Sequence, residues 1–322
     1  VARVKKVITK RNIIVVLLVI AIYAALFFLV NMKVLNRHYR SLLAPVGINV
    51  ILAVSLNLTV GFLGELNLGH GGFMSIGAYA GCLFTIYADL PLAIEFPLAL
   101  MIGGMASAIF GILIGIPALR LQGDYLAIVT LAFGEIVRSI LTNMSVTGGA
   151  GGLKGIGKST NYTIVYIVAI MTILIISNLV KSRQGRAICS IRDNMVASES
   201  LGVNVIFHKL LAFVVAAFFA GMAGVLYGHN LGILKPDAFD FNKSIEILVM
   251  VVLGGMGNLT GSVIAAIVIT LLPEILRGFS DYRMLVYAVV LITMMIWNAN
   301  PRFAMFKNNV CLWLHRKRGN AR

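Results

Sequence analysis

Long apolar stretches, separated by short polar or glycine-rich connections, recur along the chain over 13–30, 42–62, 71–88, 97–118, 124–142, 162–180, 210–228, 244–256, 260–276 and 284–298. A helix needs about 20 predominantly apolar residues to cross the hydrocarbon layer, so each stretch is read as a membrane span. The eighth and ninth are separated only by Gly257, Asn258 and Leu259, and the eighth is short. One broken element and two hairpinned helices are both open for 244–276. The first stretch follows Arg3, Lys5, Lys6, Lys10 and Arg11. Its 18 uncharged residues exceed a signal-peptide core and no small-residue cleavage pattern closes it, so it is read as a retained span.

Of the 322 residues, 59% are hydrophobic and 12% charged, and the mean hydropathy is +0.94. A soluble enzyme is excluded. The expectation is an all-α polytopic integral membrane protein of about ten transmembrane helices, broken helices allowed for. Lys plus Arg number 27 against 12 Asp plus Glu, a net charge of +15, and the membrane surface is the natural counter-charge for it. If the chain threads through ten spans, 17 basic residues fall on the side of the termini and nine on the other. That bias predicts both termini in the cytoplasm. The predicted organisation is a basic N-terminus (1–11), a transmembrane domain (12–298) with a cytoplasmic loop at 181–209, and a basic tail (299–322). Cys82, Cys189 and Cys311 lie far apart, as do the five histidines, so neither a disulfide framework nor a metal site is expected.

Many of the 32 glycines sit inside apolar runs, where small residues let helices approach closely. Two stretches do more: GFLGELNLGHGGF (61–73) and LGGMGNLTG (253–261) interrupt the apolar pattern with an Asn among glycines, in opposite halves of the chain. Matched interruptions point to a central pathway between related halves. A literal phosphate-loop pattern at Gly152, Gly157, Lys158 and Ser159 lies between two spans without room for a strand and sheet, and is read as a flexible loop. No nucleophile, metal-binding or paired-carboxylate set is present, so the chain reads as a conduit.

Glu135 and Arg138 lie three apart in the fifth span. Each charge costs about 2.5–3.5 kcal/mol at mid-bilayer, so the two are expected to face the bundle interior, as a packing ion pair or as contacts for a charged substrate. Glu65 and His70 flank Asn67, and His70 is either a packing residue or part of a proton relay with Glu65. The loop 181–209 reads as a short surface helix with a stripe at Ile188, Ile191, Met195, Ser198 and Leu201, ended by Gly202. Such a helix suits the lipid interface or a partner's groove.

The segments LNLTVGFLGELNLGHGGFMSIGAYAG (56–81), PALRLQGDYLAIVTLAFGEIVR (117–138), TGGAGGLKGI (147–156), GRAICSIRDNMVASESLGVNV (185–205) and VVLGGMGNLTGSVIAA (251–266) resemble the M-type permease subunits of bacterial ATP-driven branched-chain amino acid importers. The resemblance implies an ABC-importer permease fold and import of leucine, isoleucine and valine by alternating access. It makes 181–209 the coupling loop to an ATPase, with Gly185, Arg186, Arg192, Asp193, Ala197, Ser198, Glu199 and Gly202 in it. Ala197, Ser198 and Gly202 fit the EAA-x3-G coupling pattern, while Val196 stands where that pattern has Glu. The implied partners are two ATPase subunits, a sister permease and an extracytoplasmic substrate-binding protein, with the lipid bilayer around them and no nucleic acid. The chain itself is expected to bind no cofactor and to catalyse nothing, ATP and Mg being held by the ATPases.

The loops 143–161, with Thr147, Gly148, Gly149, Gly151 and Gly152, and 229–243 are the expected docking surface for the binding protein. The expected substrate pathway runs by Asn67, Gly69, His70, Gly71, Gly72, Glu135, Gly254, Gly255 and Asn258. Related permeases for urea or short-chain amides, and an ion-coupled secondary transporter, are the alternatives.

Overall fold

The computed structural model describes residues 37–275 except 89 and 122, together with 288, 289 and 292. The span read over 13–30, nearly all of that over 284–298 and both basic termini lie outside the described residues. The described residues form ten α-helices: α1 Arg37–Asn57, α2 His70–Tyr87, α3 Leu92–Ala118, α4 Asp124–Asn143, α5 Tyr162–Lys181, α6 Arg183–Asp193, α7 Met195–Ser200, α8 Val205–Leu231, α9 Phe241–Gly254 and α10 Leu259–Ile275. A wider π-type turn, Leu58–Leu63, prolongs α1 until Gly64 ends it at φ +82°, a left-handed conformation that glycine adopts without penalty.

Five described helical stretches are long and apolar enough to cross a membrane: Arg40–Leu63, Ala93–Ala118, Asp124–Asn143, Tyr162–Lys181 and Val205–Leu231. The spans expected at 42–62, 97–118, 124–142, 162–180 and 210–228 coincide with them to within a few residues. The other three expected elements within the described region also form helices, but α2 is diluted by His70 and its glycines, α9 has only 14 residues, and α10 is described over 17.

The α1 span is 83% buried inside the protein and the α8 span 67%, against 39%, 33% and 28% for α3, α4 and α5. The core therefore sits around α1 and α8, with α3, α4 and α5 at the periphery. Close approach of α2 to α8 depends on glycine, since a Cβ on Gly77 would overlap the backbone of Gly221. Phe73 fills the space below, edge-on to Phe213 with ring centroids 5.3 Å apart and 5.0 Å from Phe133.

One expectation changes and one open alternative is decided. The surface helix of 181–209 is two helices, because Asn194 is extended (φ −159°, ψ 104°) and its side chain accepts from Ala197 N at 2.9 Å to cap α7. Ile188, Ile191 and Ser198 turn inward, whereas Leu201, past the end of α7, is 86% exposed. The 244–276 region is two helices meeting at a tight corner, with Gly255 and Gly257 at φ +89° and +78°.

The first of these, α9, spans only part of the bilayer. The 20 residues of α4 extend about 30 Å at about 1.5 Å per residue, and Glu135, near its middle, accepts from Phe241 N at 3.1 Å. Helix α9 thus starts at half the depth of α4, reached by the segment 232–240 and the 3-10 turn Pro236–Phe239.

Candidate functional site

The first interrupted stretch is tied to three other helices. Asn67 is buried and its Oδ1 accepts from Gly69 N at 2.9 Å, closing a tight bend before α2. Leu68 N donates to Thr130 Oγ1 of α4 at 3.0 Å, and Gly71 N donates to Ser244 Oγ of α9 at 3.0 Å. Gly69 and Gly72 lie against the α4 backbone at Thr130 and Gly134, where a Cβ would meet Thr130 O at 2.5 Å and Gly134 Cα at 2.9 Å. Glycine here is a requirement of close backbone approach. Glu65 pairs with Lys209 at the start of α8, both largely buried.

His70 is fully buried and its Nε2 lies 2.9 Å from Ser55 Oγ. Its ring therefore joins α2 to α1, while Glu65, its expected relay neighbour, is engaged by Lys209.

The second interrupted stretch meets the first at the end of α1. Gly257 N donates to Asn57 Oδ1 at 2.9 Å, and Asn57 Nδ2 donates to Ser262 Oγ at 2.9 Å. Asn258 Oδ1 accepts from Gly261 N at 3.2 Å, and Gly254 packs on Gly261. Arg192, at the end of α6, donates from Nη1 to Gly61 O at 3.1 Å. A cavity of about 330 Å³ opens beside that bond, lined by Val60, Gly61, Gly64, Leu66, Arg192 and Met256.

Around Glu135 the structure gathers charge. Arg138 binds Glu135 Oε2 through Nε at 2.9 Å and Nη2 at 2.7 Å, and reaches Asp237 Oδ1 at 3.4 Å. Asp240 caps α9 by accepting from Lys243 N at 3.0 Å, a favourable place for a carboxylate. Lys243 Nζ lies 2.9 Å from Glu246 Oε2 and 3.2 Å from Asn49 Oδ1, and Asn49 Nδ2 donates to Thr270 Oγ1 at 2.9 Å.

Asn67, Gly69, Gly71, Gly72 and Glu135 therefore cluster near the start of α9. Gly254, Gly255 and Asn258 lie at its other end, about 20 Å away by the rise of its 14 residues.

At the end opposite α6, Thr147 is buried and donates to Leu141 O at 2.7 Å. Leu153 and Leu234 exchange backbone hydrogen bonds of 2.9 and 3.0 Å, joining the loops 143–161 and 229–243. Gly148, Gly149 and Gly152 take φ between +56° and +79° to shape that surface, with Gly151 between them. The phosphate-loop pattern starts beside this antiparallel bridge and leads into α5, a context unlike that of a nucleotide-binding loop.

The model for the branched-chain amino acid transport system permease component matches residues 38–296. The chain belongs to this permease family. It is a multi-pass membrane permease, of a family whose members are transport components rather than catalysts. The permease is 37% identical over 285 residues to the high-affinity branched-chain amino acid transport system permease protein LivM of Salmonella typhimurium, covering 78% of this chain and 66% of that protein. The LivM of Escherichia coli matches with the same identity and coverage. The permease thus spans just under two thirds of the length of these relatives. The permease protein LivH of Escherichia coli is 24% identical over 272 residues, covering 76% of this chain and 88% of its own. No solved structure matches the permease.

Sequence reasoning passed over Lys209, Asn57, Asp237, Asp240, Lys243 and Glu246. Lys243 and Glu246 carried a usable signal, two charges at the edge of an apolar run; the others are recognisable only by what they touch.

Proposed function

We propose that this permease carries leucine, isoleucine and valine into the cell as one subunit of an ATP-driven importer working by alternating access. Both termini and the α6–α7 pair then lie on the cytoplasmic side, in accord with the basic-residue bias. The observation that carries the reading is the Arg192–Gly61 bond, which ties α6 directly to the first break where it meets the second. A push on α7 from a bound ATPase is delivered through α6 to both breaks at once. The exposed Val196 and Leu201 offer that ATPase an apolar contact, with Arg186, Arg192, Asp193 and Glu199 beside it, and Gly185, Ala197, Ser198 and Gly202 forming the turns of the coupling element.

The partners in this reading are two ATPase subunits holding ATP and Mg, a sister permease and an extracytoplasmic binding protein that docks on the joined loops 143–161 and 229–243. The substrate path passes His70 and Gly69–Gly72, Asn67 and Glu135 before reaching Gly254, Gly255 and Asn258. A zwitterion with an apolar side chain suits a path of packed glycine backbone and a few polar groups.

Reconstitution in liposomes tests the reading. Leucine uptake is expected only with ATP and all partners present, and to be displaced by valine but not by urea. Uptake by this chain alone under an ion gradient overturns it in favour of a secondary transporter. Gly202 sits at φ +81° in open space, so Gly202→Arg is expected to keep the fold locally strained but intact while lowering the uptake obtained per ATP at least tenfold. Unchanged coupling moves the ATPase contact elsewhere.

A further inference from the structure

The first break, the end of α6 and the corner before α10 together line the cavity of about 330 Å³ beside Gly61. Pockets for small molecules start at about 300 Å³, so this one suits a small ligand. Its lining is aliphatic side chain or glycine at every position but one. The exception is Arg192, which lies across both breaks. A Cβ on Gly64 would meet its Cγ at 2.6 Å, and a Cβ on Gly257 would meet its Nη1 at 3.4 Å.

The hydrogen bonds of Arg192 leave part of its guanidinium unspent. Nε and Nη2 donate to Asp193 Oδ1 at 3.1 and 2.9 Å, and Nη1 donates to Gly61 O at 3.1 Å. A guanidinium has five N–H groups, so among the described residues one on each terminal nitrogen has no acceptor. The side chain is 39% exposed, open to a ligand. Two N–H groups on neighbouring nitrogens match the two oxygens of a carboxylate. Val60, Leu66 and Met256 offer a short hydrocarbon chain an apolar wall. Leu66 and Met256 are 37% and 60% exposed, so a ligand enters past them and keeps any ammonium in water.

We propose that this cavity is an inhibitory site for a small carboxylate with a branched apolar chain, filled by the imported amino acid after its release. Held between Arg192, the first break and Met256, the ligand fixes α6 against the two elements that α6 has to move. Import then slows as its product accumulates. The inference rests on the importer reading for the side of the membrane and the source of the ligand, whereas binding at the cavity does not depend on it.

Binding is tested on the assembled importer in lipid nanodiscs, with Cys82, Cys189 and Cys311 replaced by serine and Met256→Cys as reporter. Leucine is expected to slow alkylation of that cysteine by a maleimide about tenfold, the size of one charge-assisted contact. Isopentylamine, the same chain without the carboxylate, is expected to leave the rate unchanged. No protection by leucine, or equal protection by the amine, overturns the site. The 2-oxo acid of leucine separates the two sources of such a carboxylate: protection by leucine, with or without the oxo acid, sustains the assignment, and protection by the oxo acid alone overturns it. Arg192→Gln is expected to abolish protection, and protection that survives it removes Arg192 as the carboxylate contact.

Inhibition is tested in proteoliposomes importing leucine with ATP and all partners. Leucine on the ATPase side is expected to lower the uptake rate about tenfold whatever the concentration on the other side. Met256→Glu, which adds a carboxylate to the cavity wall, is expected to keep the uninhibited rate and lose the inhibition. A rate indifferent to leucine on the ATPase side overturns the inhibitory role. Absence of ATP-driven uptake in every condition overturns the importer reading instead, and the alkylation rates still decide the site.

Discussion

The interrupted stretch at 61–73 and the corner at 255–258 both depend on left-handed glycines, yet they are held in different ways. The first is fastened by side chains from α4, α8 and α9: Thr130, Lys209 and Ser244 each take one of its groups. The second is held mainly by itself, through Gly255 N to Val252 O at 3.1 Å and Asn258 N to Gly255 O at 3.0 Å. Its contact with the rest of the protein runs through Asn57 and the π turn. A break fastened on three sides moves with the helices that hold it. One fastened at a single polar joint lets α9 and α10 change their angle at the cost of few long-range bonds.

The largest expected effect falls on the fastened break. Lys209→Met leaves the Glu65 carboxylate buried without its cation, and loss of one member of a buried pair costs about 3–5 kcal/mol. Thermal unfolding of the purified permease in detergent should fall accordingly, and Glu65→Leu added to Lys209→Met should recover most of the loss. A single variant as stable as wild type would remove the contrast between the breaks.

Asn57→Ala acts on the joint itself. It takes the acceptor from Gly257 N, while Ser262 Oγ keeps its bond to Asn258 O, and a buried group left without its partner costs about 1–3 kcal/mol. Uptake should fall more than stability, because the two breaks no longer move together; parallel losses would make Asn57 a packing residue only.

The smallest effect is expected at the corner. Gly257→Ala places a side chain at φ +78°, with a new Cβ 3.3 Å from Gly61 O, at about 1–2 kcal/mol. Fold and assembly should survive, and the readout is the transport rate, lowered by a stiffer corner. A larger stability loss than that of Lys209→Met would invert the comparison.

How far the sequence reached is visible element by element. The spans matching α1, α3, α4, α5 and α8 were legible to within a few residues because burial in lipid demands local, continuous apolarity. Both glycine breaks were legible as well, since a polar interruption stands out against that background. The split of 181–209 was not, because Asn194 is a helix cap only once its backbone is extended. The half-depth start of α9 was also hidden: the apolar run from 244 looks like a short span, and only the bond from Phe241 to Glu135, 106 residues away, sets its depth.

The sequence by itself determined that the chain lives in a membrane, where it crosses, and where its backbone is interrupted. Those features follow from hydropathy and glycine, which are local. Tertiary structure alone decided that Glu65 belongs to Lys209, that the two breaks share Asn57, and that Glu135 and Arg138 meet Asp237 on a half-exposed face. Pairing of charges and amides depends on which helices lie side by side, and helices that are apolar along most of their length carry little local information about their neighbours.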